Sequence, residues 1–180
     1  MGINLLAKRY AQALFDLALE QKVQDKIEHD MTLISQVLKE NKELHHILSN
    51  PVITGEKKVK ILEAIFKTHV NKLTLEFFKL LIKKNRQTYL DSICNAYLEI
   101  HRNYYNILPV TFITASETIQ ETKDFITKKV AEVTGKNVEL KEQVDKDIVG
   151  GFIINYSDYQ YDASIKTQLN KLYKQLSKNL

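Results

Sequence analysis

The chain has 180 residues, 44% hydrophobic and 27% charged, with a net charge of +4, a composition that fits one globular domain or two small ones and argues against disorder. A single cysteine, Cys94, excludes an intramolecular disulfide and any multi-cysteine metal site. No stretch approaches the roughly 20 apolar residues that span a bilayer, and the opening MGINLLAKRY reaches charged residues too early for a secretory signal, so the expectation is a cytosolic chain without direct membrane insertion.

Asn4 is placed to cap a first helix running to about Gln21. Ala7, Tyr10, Ala11, Leu14 and Ala18 make one stripe at helical spacing, while Leu6, Ala13, Phe15 and Leu17 carry the apolar surface well round the cylinder. Such a helix is either buried inside its own domain or lends part of its surface to a partner, and the spacing leaves both readings open. A second helix, from about Gln24 to Glu40, puts Ile27, Met31, Ile34, Val37 and Leu38 on one face. A short third helix with Leu44, Ile47 and Leu48 ends at Asn50-Pro51, because the residue before proline is driven out of helical geometry.

Thr54 is placed to cap a fourth helix, with Glu56 in its positive first turn and Ile61, Leu62, Ile65 and Phe66 turned inward. Asn71 opens a fifth, in which Leu73, Leu75, Phe77, Phe78, Leu80, Leu81 and Ile82 again cover more than one stripe. The sixth begins near Gln87 and carries Leu90, Ile93, Cys94, Tyr97 and His101, a pattern in which Cys94 reads as a small buried hydrophobe and not a nucleophile. Residues 1–105 are therefore expected to form a six-helix bundle.

The period then changes. Ile107 to Ala115 alternates as a strand, and Ser116 is placed to cap a helix carrying Ile119, Phe125, Ile126, Val130 and Val133, which Gly135 stops. Val138, Leu140 and Val144 fall on one side of a half-buried strand, followed by a polar turn at residues 145–147. Ile148 to Ile154 is apolar on both faces, as expected of a central strand, with Gly150 and Gly151 inside it; the two strands are read as a hairpin. A strand near Tyr159 to Asp162 and a helix bearing Ile165, Leu169, Leu172 and Leu176 complete the chain. The expected fold class is α+β: the six-helix bundle, then a small βαβββα domain over 106–180.

Chemistry finds little to work with. The five histidines are not paired with Cys, His or carboxylates at a metal-ligand spacing, and Ile148 and Val149 stand where a calcium loop needs oxygens after Asp145 and Asp147. Gly150-Gly151 lacks the strand-to-helix setting of a phosphate loop and reads as a bulge or a close approach to a helix. Neither a catalytic set nor a cofactor or metal site is expected, and the chain does not read as an enzyme. The alternative of a basic nucleic-acid-binding helical module rests on Lys57-Lys58-x-Lys60, Lys83-Lys84-x-Arg86 and the aromatic run Gly151 to Tyr156. The basic excess is small, 16 against 12 acidic residues in 1–105 and ten against ten in 106–180, so no nucleic-acid partner is expected.

The spacing Val138-x-Leu140, Val144-Asp145, Ile148-x-Gly150-Gly151-Phe152-x-Ile154 resembles the signature of the delta-subunit family of bacterial ATP synthase, whose mitochondrial counterpart is the oligomycin-sensitivity-conferring protein. Ala7-x-x-Tyr10-Ala11-x-Ala13-Leu14, Asn50-Pro51, Leu81-Ile82-x-Lys84-Asn85-Arg86 and the close around Asp158, Asp162 and Ser164 are similar too. The resemblance implies a non-catalytic stator subunit of a rotary proton-translocating ATP synthase, linking the top of the catalytic head to the peripheral stalk and resisting rotor torque. It implies that residues 1–105 dock on the head, close to the beta subunit, and receive an amphipathic amino-terminal helix of the alpha subunit between the first and fifth helices. Residues 106–180 would hold the b-subunit stalk, at the cytoplasmic side of the bacterial inner membrane, peripheral through the complex. Those are the two helices with apolar surface to spare. Tyr10, Ala11, Leu14 and Ala18 are expected as one wall of the groove and Phe78, Leu81 and Ile82 as the other, with plain core packing as the alternative for each. Val144, Asp145, Gly150, Gly151, Phe152 and Ile154 are expected to be structural.

Overall fold

The computed structural model describes the backbone of residues 2–178 and the side chains of residues 5–174. The chain is α+β and divides into two compact units, Met1–Tyr104 and Tyr105–Leu180.

The first unit contains α1 (Gly2–Glu20), α2 (Gln24–Glu40), α3 (Lys42–Ser49), α4 (Gly55–Phe66), α5 (Lys72–Lys83) and α6 (Leu90–Tyr104), with a 3-10 turn at Gln87–Tyr89. α6 packs against α1 and α2, and α4 packs against α5. Ala7, Ala11 and Ala18 are buried on α1, where small side chains let neighbouring helices approach closely, and Phe15 meets Tyr97 of α6 edge-on at 5.6 Å. α1 starts at Gly2, so Asn4 is not its cap, and the Asn4 side chain lies outside the described residues. Asparagine inside a helix costs only about 0.7 kcal/mol relative to alanine, too little to hold the terminus there. On α4, Leu62 and Phe66 are buried, with Phe66 against Phe78 at 5.7 Å, whereas Ile65 lies one residue round the helix from Phe66 and stays exposed.

Two buried charges close helix ends. Asp30 of α2 accepts from the Asn71 N–H at 2.8 Å and from the Thr74 hydroxyl at the start of α5, where the Asn71 side chain also accepts from the Leu73 N–H at 3.0 Å. Lys58 of α4 donates to the Leu48 carbonyl at 2.8 Å near the end of α3. An anion at a helix start and a cation at a helix end each satisfy groups the helix leaves unpaired and complement its dipole. Lys58 is thereby withdrawn from the surface, so Lys57-Lys58-x-Lys60 is not a continuous basic face.

The second unit runs β1 (Ile107–Thr114), α7 (Gln120–Thr134), β2 (Asn137–Val144), a 3-10 turn at Lys146–Ile148, β3 (Phe152–Tyr156), β4 (Tyr159–Asp162) and α8 (Ile165–Lys178). The sheet order is β2-β1-β3-β4, with β1 parallel to β2 and antiparallel to β3, and β4 antiparallel to β3. β2 and β3 do not form the expected hairpin. The helical crossover through α7 lays β2 parallel beside β1, and β1 then separates it from β3. Leu108, Val110, Phe112, Ile126, Val130 and Ile154 form the core between sheet and α7.

Several boundaries differ from expectation. α7 begins at Gln120 and not after Ser116, because Glu142 on β2 accepts from the Thr118 N–H at 2.8 Å and holds the preceding loop out of helical geometry. Only Ile126 and Val130 of that helix are buried; Ile119, Phe125 and Val133 are exposed. β3 starts at Phe152, so the glycines precede the strand. Gly151 has φ 76°, and a Cβ there would collide with the Ala163 carbonyl oxygen; one on Gly150 would lie 2.7 Å from Ile165 Cδ1. The glycines are thus the place where the start of α8 crosses the chain, joined by bonds from Ala163 N–H to Phe152 O and Ile165 N–H to Gly150 O, each 2.9 Å.

Candidate functional site

A groove of about 780 Å³ lies between α1 and α5. It exists because both helices carry two apolar stripes one residue apart, hence about 100° apart round the axis. On α1 the stripe Ala7, Ala11, Leu14 and Ala18 is buried, whereas Leu6, Tyr10, Ala13 and Leu17 face the groove. On α5, Thr74, Phe78 and Leu81 are buried in the core, and Leu73, Phe77 and Leu80 line the groove. Asp30 anchors the start of α5 and so helps place that wall.

Of the expected wall residues, Tyr10 and Leu14 line the groove. Ala11, Ala18, Phe78, Leu81 and Ile82 belong to the core instead, with Ala11 and Ala18 fully enclosed. On α1 the difference follows size: Ala7, Ala11 and Ala18 let neighbouring helices pack closely, and the larger Leu6, Tyr10 and Leu17 of the adjacent stripe are left towards the groove. An arginine at Ala11 would therefore report on folding before it reported on docking. The polar members of the groove, Arg9, Glu76 and Arg86, lie outside the apolar stripes from which the walls were expected.

The signature residues of the second unit lie at the end of β2, in the turn that follows it, and at the start of β3. Val144 ends the edge strand β2 and is exposed; Glu142, two residues earlier on the same side, takes the inner place, bound by Lys123 at 2.7 Å. That hydrogen bond from Lys123, followed by the one from Thr118, holds the Glu142 carboxyl below the usual carboxylate range. Asp145 accepts from the Asp147 N–H at 2.9 Å and closes the 3-10 turn. Phe152 packs between Phe112 and Tyr161 at 5.9 and 6.0 Å, and Ile154 is buried. Gly150, Gly151 and Phe152 line, with residues 114–119, a second cleft of about 490 Å³.

α8 is tied at its start by Asp162, which accepts from the Ser164 N–H and the Thr167 hydroxyl, both at 2.8 Å. Bonding from Ser164, then Thr167, lowers the Asp162 pKa. Yet Ile165, Leu169, Leu172 and Tyr173 are exposed along that helix; Leu176, expected on the same stripe, lies outside the described side chains.

Cys94 is fully buried, and that burial, with Asp91 nearby, pushes its thiol pKa well up. Among the described residues no group of three His, Cys, Asp or Glu is placed to hold a metal, and no helix is long and apolar enough to cross a membrane.

The profile of the family described as the ATP synthase delta (OSCP) subunit matches residues 6–176. An ATP synthase subunit delta of Carboxydothermus hydrogenoformans is 34% identical over 171 residues, covering 95% of this chain and 96% of the relative. One of Lachnoclostridium phytofermentans is 38% identical over 177 residues, covering 97% of each. A chain of the Toxoplasma gondii mitochondrial ATP synthase hexamer, solved by cryo-electron microscopy, has the same fold, with a TM-score of 0.66 at 17% identity over 95% of this chain and 97% of that one.

Proposed function

The chain belongs to the ATP synthase delta (OSCP) subunit family, and we infer from that membership that it is a non-catalytic stator subunit of a rotary ATP synthase. It serves ATP synthesis by holding other subunits in place, as part of the peripheral stalk. The first unit, read as a six-helix bundle, docks on the catalytic head near the beta subunit. Its groove receives the amino-terminal helix of the alpha subunit. The second unit holds the b-subunit end of the stalk, at the cytoplasmic side of a bacterial inner membrane.

The observation that carries the docking reading is the groove itself. Its walls are two rows of apolar side chains at helical spacing, and Leu5, Leu17 and Leu80 are exposed on them in the isolated chain. An amphipathic helix laid between α1 and α5 would cover them through its own anchors at similar spacing. For the second unit, the support is the exposed stripe Ile165, Leu169 and Leu172 on α8. A helical stalk segment packing along it would bury that stripe as one helix packs on another.

Affinity capture of the tagged chain from gently solubilised membranes of its source cells tests the assignment. Recovery of alpha, beta and b subunits in one complex is expected. A chain that returns alone from membranes in which the intact synthase is demonstrably present would overturn it.

A further inference from the structure

We propose that the groove between α1 and α5 selects an amphipathic helix whose apolar face is bordered by carboxylates, read by Arg9 and Arg86. This rests on the docking role given to the groove above and adds a charge requirement to its occupant. Both arginines are among the residues that line the groove, and both are exposed. Among the described residues neither has a hydrogen-bonding or ion-pair partner. Neighbouring lysines on the same helices are already matched: Lys8 with Glu99 at 3.6 Å, Lys79 with Glu63 at 2.8 Å, and Lys72 with Glu76 at 3.9 Å. Glu76, the one carboxylate among the groove's described lining residues, is thereby shared with a lysine outside the lining set. The uncompensated charge of the groove is positive and comes from two arginines.

A helix seated in the groove would strip water from both guanidinium groups. Their planar forks match carboxylates with two parallel hydrogen bonds, so an occupant with Glu or Asp beside its apolar anchors replaces the lost hydration. An occupant with lysines there meets like charge, and one with neutral borders leaves two partly dehydrated cations. Selection therefore comes from penalties on the wrong helix as much as from attraction to the right one. Charges at the rim of an interface also hasten encounter and make it sensitive to salt.

Two synthetic helical peptides with one shared apolar face, one flanked by glutamates and the other by lysines, are titrated calorimetrically into the full chain. The glutamate peptide is expected to bind about tenfold more tightly at low ionic strength, with the gap closing as salt is added. The double variant Arg9→Glu/Arg86→Glu should reverse the preference. Lys57→Glu/Lys60→Glu, an exposed pair on α4, should preserve it. A shift as large in that control would mean that net chain charge alone attracts the peptide, and would overturn the inference. Equal binding of both peptides, weakened by Leu17→Ala/Leu80→Ala but insensitive to the arginine changes, would overturn the charge requirement and leave the groove reading standing. Binding of neither peptide would overturn both.

Discussion

Replacing Leu17 and Leu80 together by alanine removes apolar surface from both walls of the groove and leaves the core in place. In the free chain Leu17 is 41% and Leu80 43% exposed, so that fraction of each side chain contributes little to folding. Complete burial of a leucine is worth about 1.5–3 kcal/mol. Scaled by the exposed fraction, the occupant gains roughly 0.6–1.3 kcal/mol at each position and about 1.3–2.5 kcal/mol at the pair. That corresponds to a roughly tenfold to seventyfold rise in Kd, with the lower part of the range expected because alanine keeps its β-carbon. Isothermal titration with a peptide of the alpha-subunit amino terminus measures the loss, and a thermal melt of the free variant checks that the fold is unaltered. An unchanged Kd in a normally folded variant would refute the reasoning, because a helix in this groove cannot avoid both leucines. A melt that falls as far as that of Phe78→Ala, a core truncation expected to lose about 3–5 kcal/mol, would refute it differently, by showing that the leucines hold the unit together.

Asp30→Ala leaves the Asn71 N–H and the Thr74 hydroxyl without their acceptor; stability is expected to fall by about 1–3 kcal/mol, with faster amide exchange in the first turn of α5. Gly151→Ala forces a side chain into φ 76° and against the Ala163 carbonyl, so the second unit should lose more than about 2 kcal/mol. Gly135→Ala, at φ 66° with open space around it, should lose only the backbone term of about 1–2 kcal/mol; denaturant midpoints distinguish the two. Glu142 and Asp162 have folded pKa values lowered by their hydrogen bonds from Lys123 and Ser164. The folded state therefore binds fewer protons than the unfolded one in acid, so their contribution is complete above the unfolded pKa of about 4 and is lost as pH falls through the lowered values. Denaturation series from about pH 6 to pH 3 should show the second unit weakening at the acid end, and Glu142→Gln and Asp162→Asn should each flatten that limb.

The elements whose signals are local were readable. α2 runs over Gln24–Glu40, Asn71 caps α5 through the Leu73 N–H, and Gly135 ends α7 at φ 66°; each signal acts on residues within a turn of itself. Where the deciding partner is remote, expectation and structure part. The β2–β3 hairpin is replaced by pairing through β1 because α7 returns the chain in parallel, and the start of α7 is set by Glu142, 24 residues beyond Thr118. For Gly150 and Gly151 the expected close approach to a helix is met by the start of α8, but the two glycines precede β3 instead of lying inside the strand.

The spare apolar surface of α1 and α5 was legible in the residues, whereas a groove between them was implied only by the family resemblance. Excess apolar surface marked α1 and α5, yet hydrophobicity alone does not say which of two adjacent stripes faces inward. On α1 size does: the stripe of Ala7, Ala11 and Ala18 nests against the unit's own helices with Leu14 between core and groove, and Leu6, Tyr10, Ala13 and Leu17 remain for the groove. The two stripes of α5 match in size and carry no such signal. Asp30 and Lys58 show the converse, charged residues that a pattern reading leaves on the surface and that the fold buries to close helix ends.

Docking of the groove in the working assembly is tested most directly by photo-crosslinking from position 80 of this chain within the intact synthase. A photoreactive side chain replacing Leu80 is predicted to capture the amino-terminal segment of the alpha subunit, while the same probe at Ile65, exposed on α4, is not. Capture of the alpha segment from position 65 but not from position 80, in complexes of normal composition, would contradict the placement of that helix between α1 and α5.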